Sequence, residues 1–414
     1  MTANGKLFLG QTLMQSFAQR LLSLPLRFIR SAPRKTSLVG FMTVLGCLLS
    51  AGSAQAALEL RVAIEQEVSQ VQLGTSTKAV VRDASGQAIA EIPAMSSVMA
   101  EADAGEVEIH EWESGLFWIE PTDGGYVSIG DQWYRGRTQV VAVPGGLTAV
   151  NYVDLEQYLY SVVGSEMPAS WHLEALKAQA VAARTYALYK RQHNGNAVFD
   201  VGDTTTWQVY EGLQKETNTT QMAVNGTAGQ VLTYNGQIIE SVFHSSSGGH
   251  TENVEDIWSS PRPYLRAVQD FDEVAGNRGF RWSQEFSAES FQQRITGVGR
   301  VLRITAVETT PRGRVESVRV EGDRGSRVLS GSDVRRALGL KSTLFSITPE
   351  MGRLASTGSS GSVPVRFVVN GRGFGHGVGM SQWGAYGMAG QGYNYQQIVG
   401  HYFQSSALAQ IQVN

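Results

Sequence analysis

The sequence predicts an α+β protein: a mixed or antiparallel, β-rich core built around one long helix, with a smaller α+β unit inserted into it. Three observations carry that expectation. Residues 58–150 alternate apolar and polar side chains between glycine turns; residues 171–192 form an unbroken Ala-rich helical stretch; residues 263–350 carry strand and helix patterns of their own. At 414 residues the chain is long enough for a sizeable core and more than one structural unit.

Residues 1–56 stand apart. They hold six of the 34 Lys/Arg side chains and none of the 37 Asp/Glu. Arg27, Arg30, Arg34 and Lys35 precede the apolar run Leu38 to Leu49, and Ala51-Gly52-Ser53-Ala54-Gln55-Ala56 follows. This is the layout of a secretory signal peptide, with cleavage expected near Ala56 and export to the periplasm or cell envelope. The apolar run is short for a membrane span, although an uncleaved segment would act as an anchor. Without it the chain has 28 basic against 37 acidic side chains, a net charge of −9. An acidic protein lacks the basic footprint of a nucleic-acid binder. The single cysteine, Cys47, lies in this leader, so the mature chain has no disulfide and no thiolate nucleophile.

Residues 57–150 should form a β-rich region. Leu58–Ile64, Lys78–Val81 and Gln139–Val143 read as strands; Asp83-Ala84-Ser85-Gly86, Asp123-Gly124-Gly125 and Pro144-Gly145-Gly146 read as turns. A core unit is expected over 151–262. It opens with a short helix at 154–163 and the run Ser165-Glu166-Met167-Pro168-Ala169-Ser170-Trp171. Pro168 marks a helix start, which puts Glu166 at the mouth of the long helix. A helix N-terminus favours a charged carboxylate, and burial favours a protonated one. Position alone reads Glu166 either as a proton-exchanging residue or as a simple first-turn acid.

On a helical wheel, Leu176, Ala180, Ala183 and Ala187 share one face. Lys177 and Arg184 fall on an adjoining stripe with Leu173, Val181 and Leu188. Cations there need partners if buried. They pair internally with Glu174, Asp154 or Glu156, or reach the surface, or face a polar cleft near Glu166. Strands at 229–234 and 237–243 flank the hairpin signal Asn235-Gly236. Phe243-His244-Ser245-Ser246-Ser247-Gly248-Gly249-His250-Thr251 follows; His244 and His250 are six apart without cysteine, a poor metal pattern.

The inserted unit, 263–350, should hold helices at Ser287–Ile295 and Ser332–Leu338 and strands at Val301–Val307 and Arg314–Val320. A Gly/Ser linker is expected at 351–363, and residues 364–414 should return to complete the core. That last segment reads as a strand at Val365–Val369, a glycine loop at 371–379, helices near 380–390 and 395–403, and a final strand. Gly371-Arg372-Gly373-Phe374-Gly375-His376-Gly377-Val378-Gly379-Met380-Ser381-Gln382-Trp383-Gly384-Ala385 does not fit a dinucleotide or phosphate loop. Its alternate glycines suggest close backbone approach, with His376, Gln382 and Trp383 as ligand-facing candidates.

Three separated motifs then stand together: Leu155-Glu156-Gln157-Tyr158-Leu159 with Val162–Pro168, the stretch Glu174–Ala187, and Gly373–Ala385. Their order and spacing resemble the stage II sporulation protein D / LytB family of cell-wall proteins, over about residues 60–405. The resemblance implies a peptidoglycan lytic transglycosylase. It matches Glu166 to the catalytic acid/base, Lys177, Gln179 and Arg184 to groove-lining residues, and His244-Ser245 with Ser247-Gly248-Gly249 to a Ser/Gly motif. Trp383 or Tyr186 would stack on a sugar face. Some members hold zinc with cysteines near that motif; those cysteines are missing here, so no metal or other cofactor is expected, with His244 and His250 as the only alternative ligands. The resemblance also extends to amidase enhancers, which leaves a non-catalytic peptidoglycan-binding partner of an N-acetylmuramoyl-L-alanine amidase as the rival expectation. No second carboxylate lies inside the matched motifs; Glu174, Glu252 and Asp256 are the candidates outside them.

Overall fold

The computed structural model describes residues 58–258, 260–353 and 362–411. The signal segment and most of the Gly/Ser linker lie outside them. Architecture is α+β, as the patterning implies.

Two largely antiparallel sheets are built from residues 59–154, with one short later strand added to the first. A seven-stranded sheet runs in the order Val201–Gly202, Glu59–Val68, Gly146–Asp154, Arg137–Val143, Leu116–Pro121, Ala79–Arg82 and Ala88–Ile92; its first pair is parallel and the rest antiparallel. A six-stranded antiparallel sheet pairs Gln70–Thr75 with Ser96–Asp103 at its centre. Alternation places Leu60 and Val62 of the first sheet and Val71 and Leu73 of the second in one shared core.

Strand Gly146–Asp154 runs straight into helix α1 (Leu155–Glu166). The Asp154 carboxylate caps it, accepting from the N–H groups of Glu156 (2.9 Å) and Gln157 (3.1 Å). Helix α2 (Leu173–His193) is buried on nearly every face, from Ala175 to Leu188 with Lys177 the exception. It touches α1, α3 (Asn218–Asn225), the strand Gln230–Tyr234 and the two C-terminal helices described below. Its many alanines make this crowding sterically feasible, so one apolar stripe is the wrong picture for it.

A second hydrophobic cluster gathers residues 282–369. Two three-stranded antiparallel sheets, one centred on Val315–Gly322 and the other on Ser362–Arg372, pack with α4 (Ala288–Arg294) and α5 (Gly331–Leu338). Phe291, Val318, Val334, Phe345 and Phe367 fill it. Strand Phe345–Arg353 pairs with Ser362–Arg372 as far as Arg353↔Ser362, so both edges of the expected linker, 351–353 and 362–363, are strand, and the rest of it lies outside the described residues. The chain returns to the first core only beyond Arg372, through α6 (Gln382–Gly390), α7 (Tyr395–Tyr402) and Ala407–Gln410, which pairs with Gln230–Tyr234. Among the described residues no helix is long and apolar enough to cross a membrane.

Candidate active site

A cleft of about 550 Å³ opens where the two clusters meet. Its wall takes Glu166 from α1, Tyr186 and Lys190 from α2, Thr205–Trp207 and Val209, Glu240 and Val242 to Ser245, Trp258, Arg335 from α5, Phe374 to His376 of the glycine segment, and Gln382 from α6.

Glu166 is the last residue of α1, followed by an extended Met167. This corrects the expectation of a helix start. Pro168 does interrupt the chain, but it separates two helices and leaves the acid at the C-terminal end of the first. There the helix carbonyls disfavour negative charge. One carboxylate oxygen accepts from the Val209 N–H (3.1 Å) and the other from Gln382 Nε2 (3.1 Å). Burial pushes the carboxyl above its ordinary range, against the pull of those two hydrogen bonds. A glutamine amide suits an acid that changes state: its NH₂ donates to a carboxylate, and after rotation its carbonyl accepts from a carboxylic acid.

The glycine segment reaches Glu166 by lying across the Ser/Gly motif. Phe243–His244 pairs in parallel with Met380–Ser381, Ser246 and Phe374 exchange backbone bonds, and the Trp383 N–H donates to the Ser245 carbonyl (3.0 Å). Gly379 has φ +72°, and a Cβ there would stand 2.1 Å from the Val242 carbonyl oxygen. The alternate glycines thus serve chain-to-chain approach. The expected strand 237–243 stops at Ile238 because Phe243–His244 takes this other partner.

His244 and His376 face each other, ring centroids 5.0 Å apart. His244 Nδ1 bonds the Val378 carbonyl (3.1 Å), and His376 Nε2 bonds the Phe243 carbonyl (3.0 Å) while its Nδ1 accepts from the Val378 N–H (3.1 Å). Burial drives both imidazoles down, His376 to about 4, so both are neutral at pH 7. With its Nδ1 proton on Val378, His244 Nε2 is a lone-pair acceptor that has no partner among the described residues. His250 sits apart, exposed, on a bridge to Gln269.

Of the remaining sequence candidates, Ser245 and Gln382 line the cleft and Ser247, Gly248 and Trp383 do not. Ser247 Oγ donates to Asp270, and the Gly248 N–H donates to Asp272 (2.8 Å), which buries the motif's second half beneath the wall. Trp383 packs on Trp171 and Tyr386, at 4.7 and 5.8 Å. Lys177, Gln179 and Arg184 are also absent from the lining. Lys177 pairs with Glu174 (2.7 Å). Arg184 is fully buried and pairs with Glu156 (2.5 and 2.8 Å), with a further bond to the Gln230 carbonyl (3.1 Å). The internal-pair alternative is therefore the one realised. Gln179 is fully buried, and its amide has no hydrogen bond among the described residues. Neither Glu174, Glu252 nor Asp256 lines the cleft; the second carboxylate there is Glu240, held by Lys190 (2.9 Å).

Glu240, Lys190, Arg335 and the Val209 N–H escaped the sequence reading. Lys190 alone had a usable signal, four residues after Tyr186 on the same helical face. Among the described residues no group of three or more His, Asp or Glu is placed to hold a metal ion.

A family model described as stage II sporulation protein matches residues 144–234, and one described as a domain of unknown function matches 263–379. The chain is 37% identical to stage II sporulation protein D of Bacillus subtilis over 297 residues, covering 66% of this chain and 80% of that one. It is also 37% identical to the same-named protein of Bacillus amyloliquefaciens, covering 62% and 74%. A Bacillus subtilis protein named amidase enhancer is 33% identical over 60% of this chain and 40% of its own length. With these motifs, this cleft and this extent of identity, the chain belongs to the stage II sporulation protein D family.

Proposed function

We propose that the protein is an exported lytic transglycosylase that cleaves the β-1,4 bond between N-acetylmuramic acid and N-acetylglucosamine in peptidoglycan, leaving 1,6-anhydro ends. Family membership supports a cell-wall role. The observation that carries the chemistry is Glu166: a partly buried carboxyl on the cleft wall, raised in pKa and held through both oxygens.

In this reading protonated Glu166 donates to the glycosidic oxygen as an oxocarbenium-like transition state forms. The C1–O bond breaks and the released strand leaves as an alcohol. The Glu166 carboxylate then takes the proton of the muramoyl 6-hydroxyl, whose oxygen closes on C1. The acid is regenerated and no water is consumed, so one carboxyl, no metal and no cofactor suffice. Ser245 and Gln382 bind and orient sugar hydroxyl or amide groups, and Tyr186 offers a ring edge or face on the cleft wall. Glu240 is engaged by Lys190, which disfavours it as the base that a water-consuming hydrolase would need.

The rival reading is a non-catalytic glycan-binding enhancer of an amidase, which the 33% identity to a protein of that name favours. A digest of purified peptide-free glycan, read by mass spectrometry, separates them. The wild type should release anhydro-disaccharides and Glu166→Gln should not. Binding without new anhydro ends in the wild type would sink the catalytic reading. Reducing ends labelled from heavy-oxygen water would replace it with ordinary hydrolysis.

A further inference from the structure

The cleft wall carries two long cations with different fates. Lys190 is neutralised by Glu240 at 2.9 Å. Arg335, in the last turn of α5, has no carboxylate partner among the described residues. Its side chain makes one hydrogen bond there, Nε–H to the Leu340 carbonyl at 3.3 Å. In the first core the partly buried Arg61 and Arg135 are neutralised by Asp200 and Glu216, and the fully buried Arg184 by Glu156. A half-buried guanidinium without an anion carries an uncompensated desolvation cost. Burial, with nothing acidic to offset it, indeed pulls the Arg335 pKa down. Both terminal NH₂ groups remain free, in the fork geometry that takes a carboxylate through two bonds. On the same wall, Trp258 and Phe374 are 41% and 50% exposed, unusually open for aromatic side chains and suited to stacking on sugar rings.

We propose that Arg335 is a carboxylate-binding subsite of this cleft, contributed by the α5 unit, which holds an anionic group of the glycan substrate. The inference rests on the peptidoglycan reading only for the identity of the polymer. Two carboxylates of that polymer fit the chemistry: the lactyl carboxylate of a muramoyl residue without its peptide, and a carboxylate of an attached stem peptide. A protein of net charge −9 without residues 1–56 (28 basic, 37 acidic side chains) gains most from one well-placed cation when its ligand is itself anionic.

The test reads binding in the Glu166→Gln background, where turnover is not required. Soluble fragments of peptide-free glycan, of the same glycan with its carboxyls converted to methylamides, and of peptide-bearing glycan are titrated against Glu166→Gln and against Glu166→Gln/Arg335→Gln. Arg335→Gln should weaken binding by about 10- to 100-fold, the worth of a charge-assisted pair. Methylamidation should impose the same loss on Glu166→Gln and leave the double variant unaffected. A loss on peptide-free glycan identifies the lactyl carboxylate; a loss confined to peptide-bearing glycan identifies the peptide's. Arg335→Lys, which keeps the charge without the fork, should fall between and guards against a folding defect in the glutamine variant. Equal affinity with and without Arg335, an equal Arg335 effect on methylamidated glycan, or no binding to any of the glycans overturns the proposal. A protein that binds through Arg335 yet yields no anhydro product refutes the transglycosylase reading and leaves the subsite. One that cleaves yet ignores Arg335 does the reverse.

Discussion

Glu166 and Gln382 lie 216 positions apart and share a 3.1 Å hydrogen bond. The acid ends α1 and the amide opens α6. The contact needs the return of the chain from the second cluster, so the cleft and the hydrogen bond from Gln382 to Glu166 exist only when both clusters are in place.

The amide's role is open to kinetic measurement. Gln382 donates to the charged form of Glu166, so Gln382→Met should raise the Glu166 pKa further. We expect the basic limb of the pH–rate profile to move to higher pH, with kcat down about tenfold, roughly 1.4 kcal/mol of barrier. An unmoved limb would show that the amide only packs.

Glu166 should also leave a trace in stability. Its folded pKa is raised above the unfolded value. Near pH 4, just under the ordinary glutamate value, both states are mostly protonated and the acid costs little. As pH rises through the folded pKa, that stability is lost. Glu166→Gln should therefore be more stable than wild type at neutral pH, by about 0.5–2 kcal/mol, and equal to it near pH 4. Thermal unfolding at the two pH values checks this, and destabilisation at neutral pH would contradict it.

The Arg184–Glu156 pair makes a different prediction. Arg184 is wholly buried, and Glu156 also accepts from the Gly229 N–H at 3.0 Å. Glu156→Ala strands a buried cation and should cost about 3–5 kcal/mol. Because neither residue lines the cleft, KM measured on the folded fraction should hold. A rise in KM without loss of Tm would restore Arg184 to the groove.

Beneath the Ser/Gly motif, Asp272 accepts from Ser246 Oγ (2.6 Å) and the Gly248 N–H beside Asp270. Burial first, then the Asp270 charge, lifts it to about 6. This raised carboxyl supports the fold below the usual carboxylate pKa and withdraws that support as pH passes about 6. Asp272→Asn keeps both acceptor contacts and should flatten the decline in stability between pH 5 and 8. An unchanged slope in urea titrations would remove the pair as its source.

Much of this chain was legible as local pattern. Helices α1, α2, α4 to α7 and some of the long strands, among them Glu59–Val68, Val301–Thr309 and Val315–Gly322, follow from periodicity and turns, whereas Ser96–Asp103, Gly146–Asp154 and Phe345–Arg353 do not; Ser287, Ser330 and Ser381 each cap a helix through the side chain. The glycine segment was legible as a backbone-approach device. The edges of the Gly/Ser-rich stretch, 351–353 and 362–363, pair as strand, which composition does not announce because it reports polarity and smallness rather than pairing.

The site divided along the same line. Residue chemistry picks out His376 and Gln382 in the glycine segment and leaves Glu166 open between two roles; the family resemblance is what adds His244 and Ser245 and makes Glu166 the acid/base candidate. Which cation meets the cleft was beyond them. A helical wheel gives the angle at which Lys177 and Arg184 leave α2, but not what stands there. Packing on nearly every side of α2 consigned both to internal acids and left the opening to Lys190 and to Arg335, a residue of another element. A side chain's direction is a local property of the backbone; its neighbours, and hence whether its charge is spent or free, follow from long-range packing.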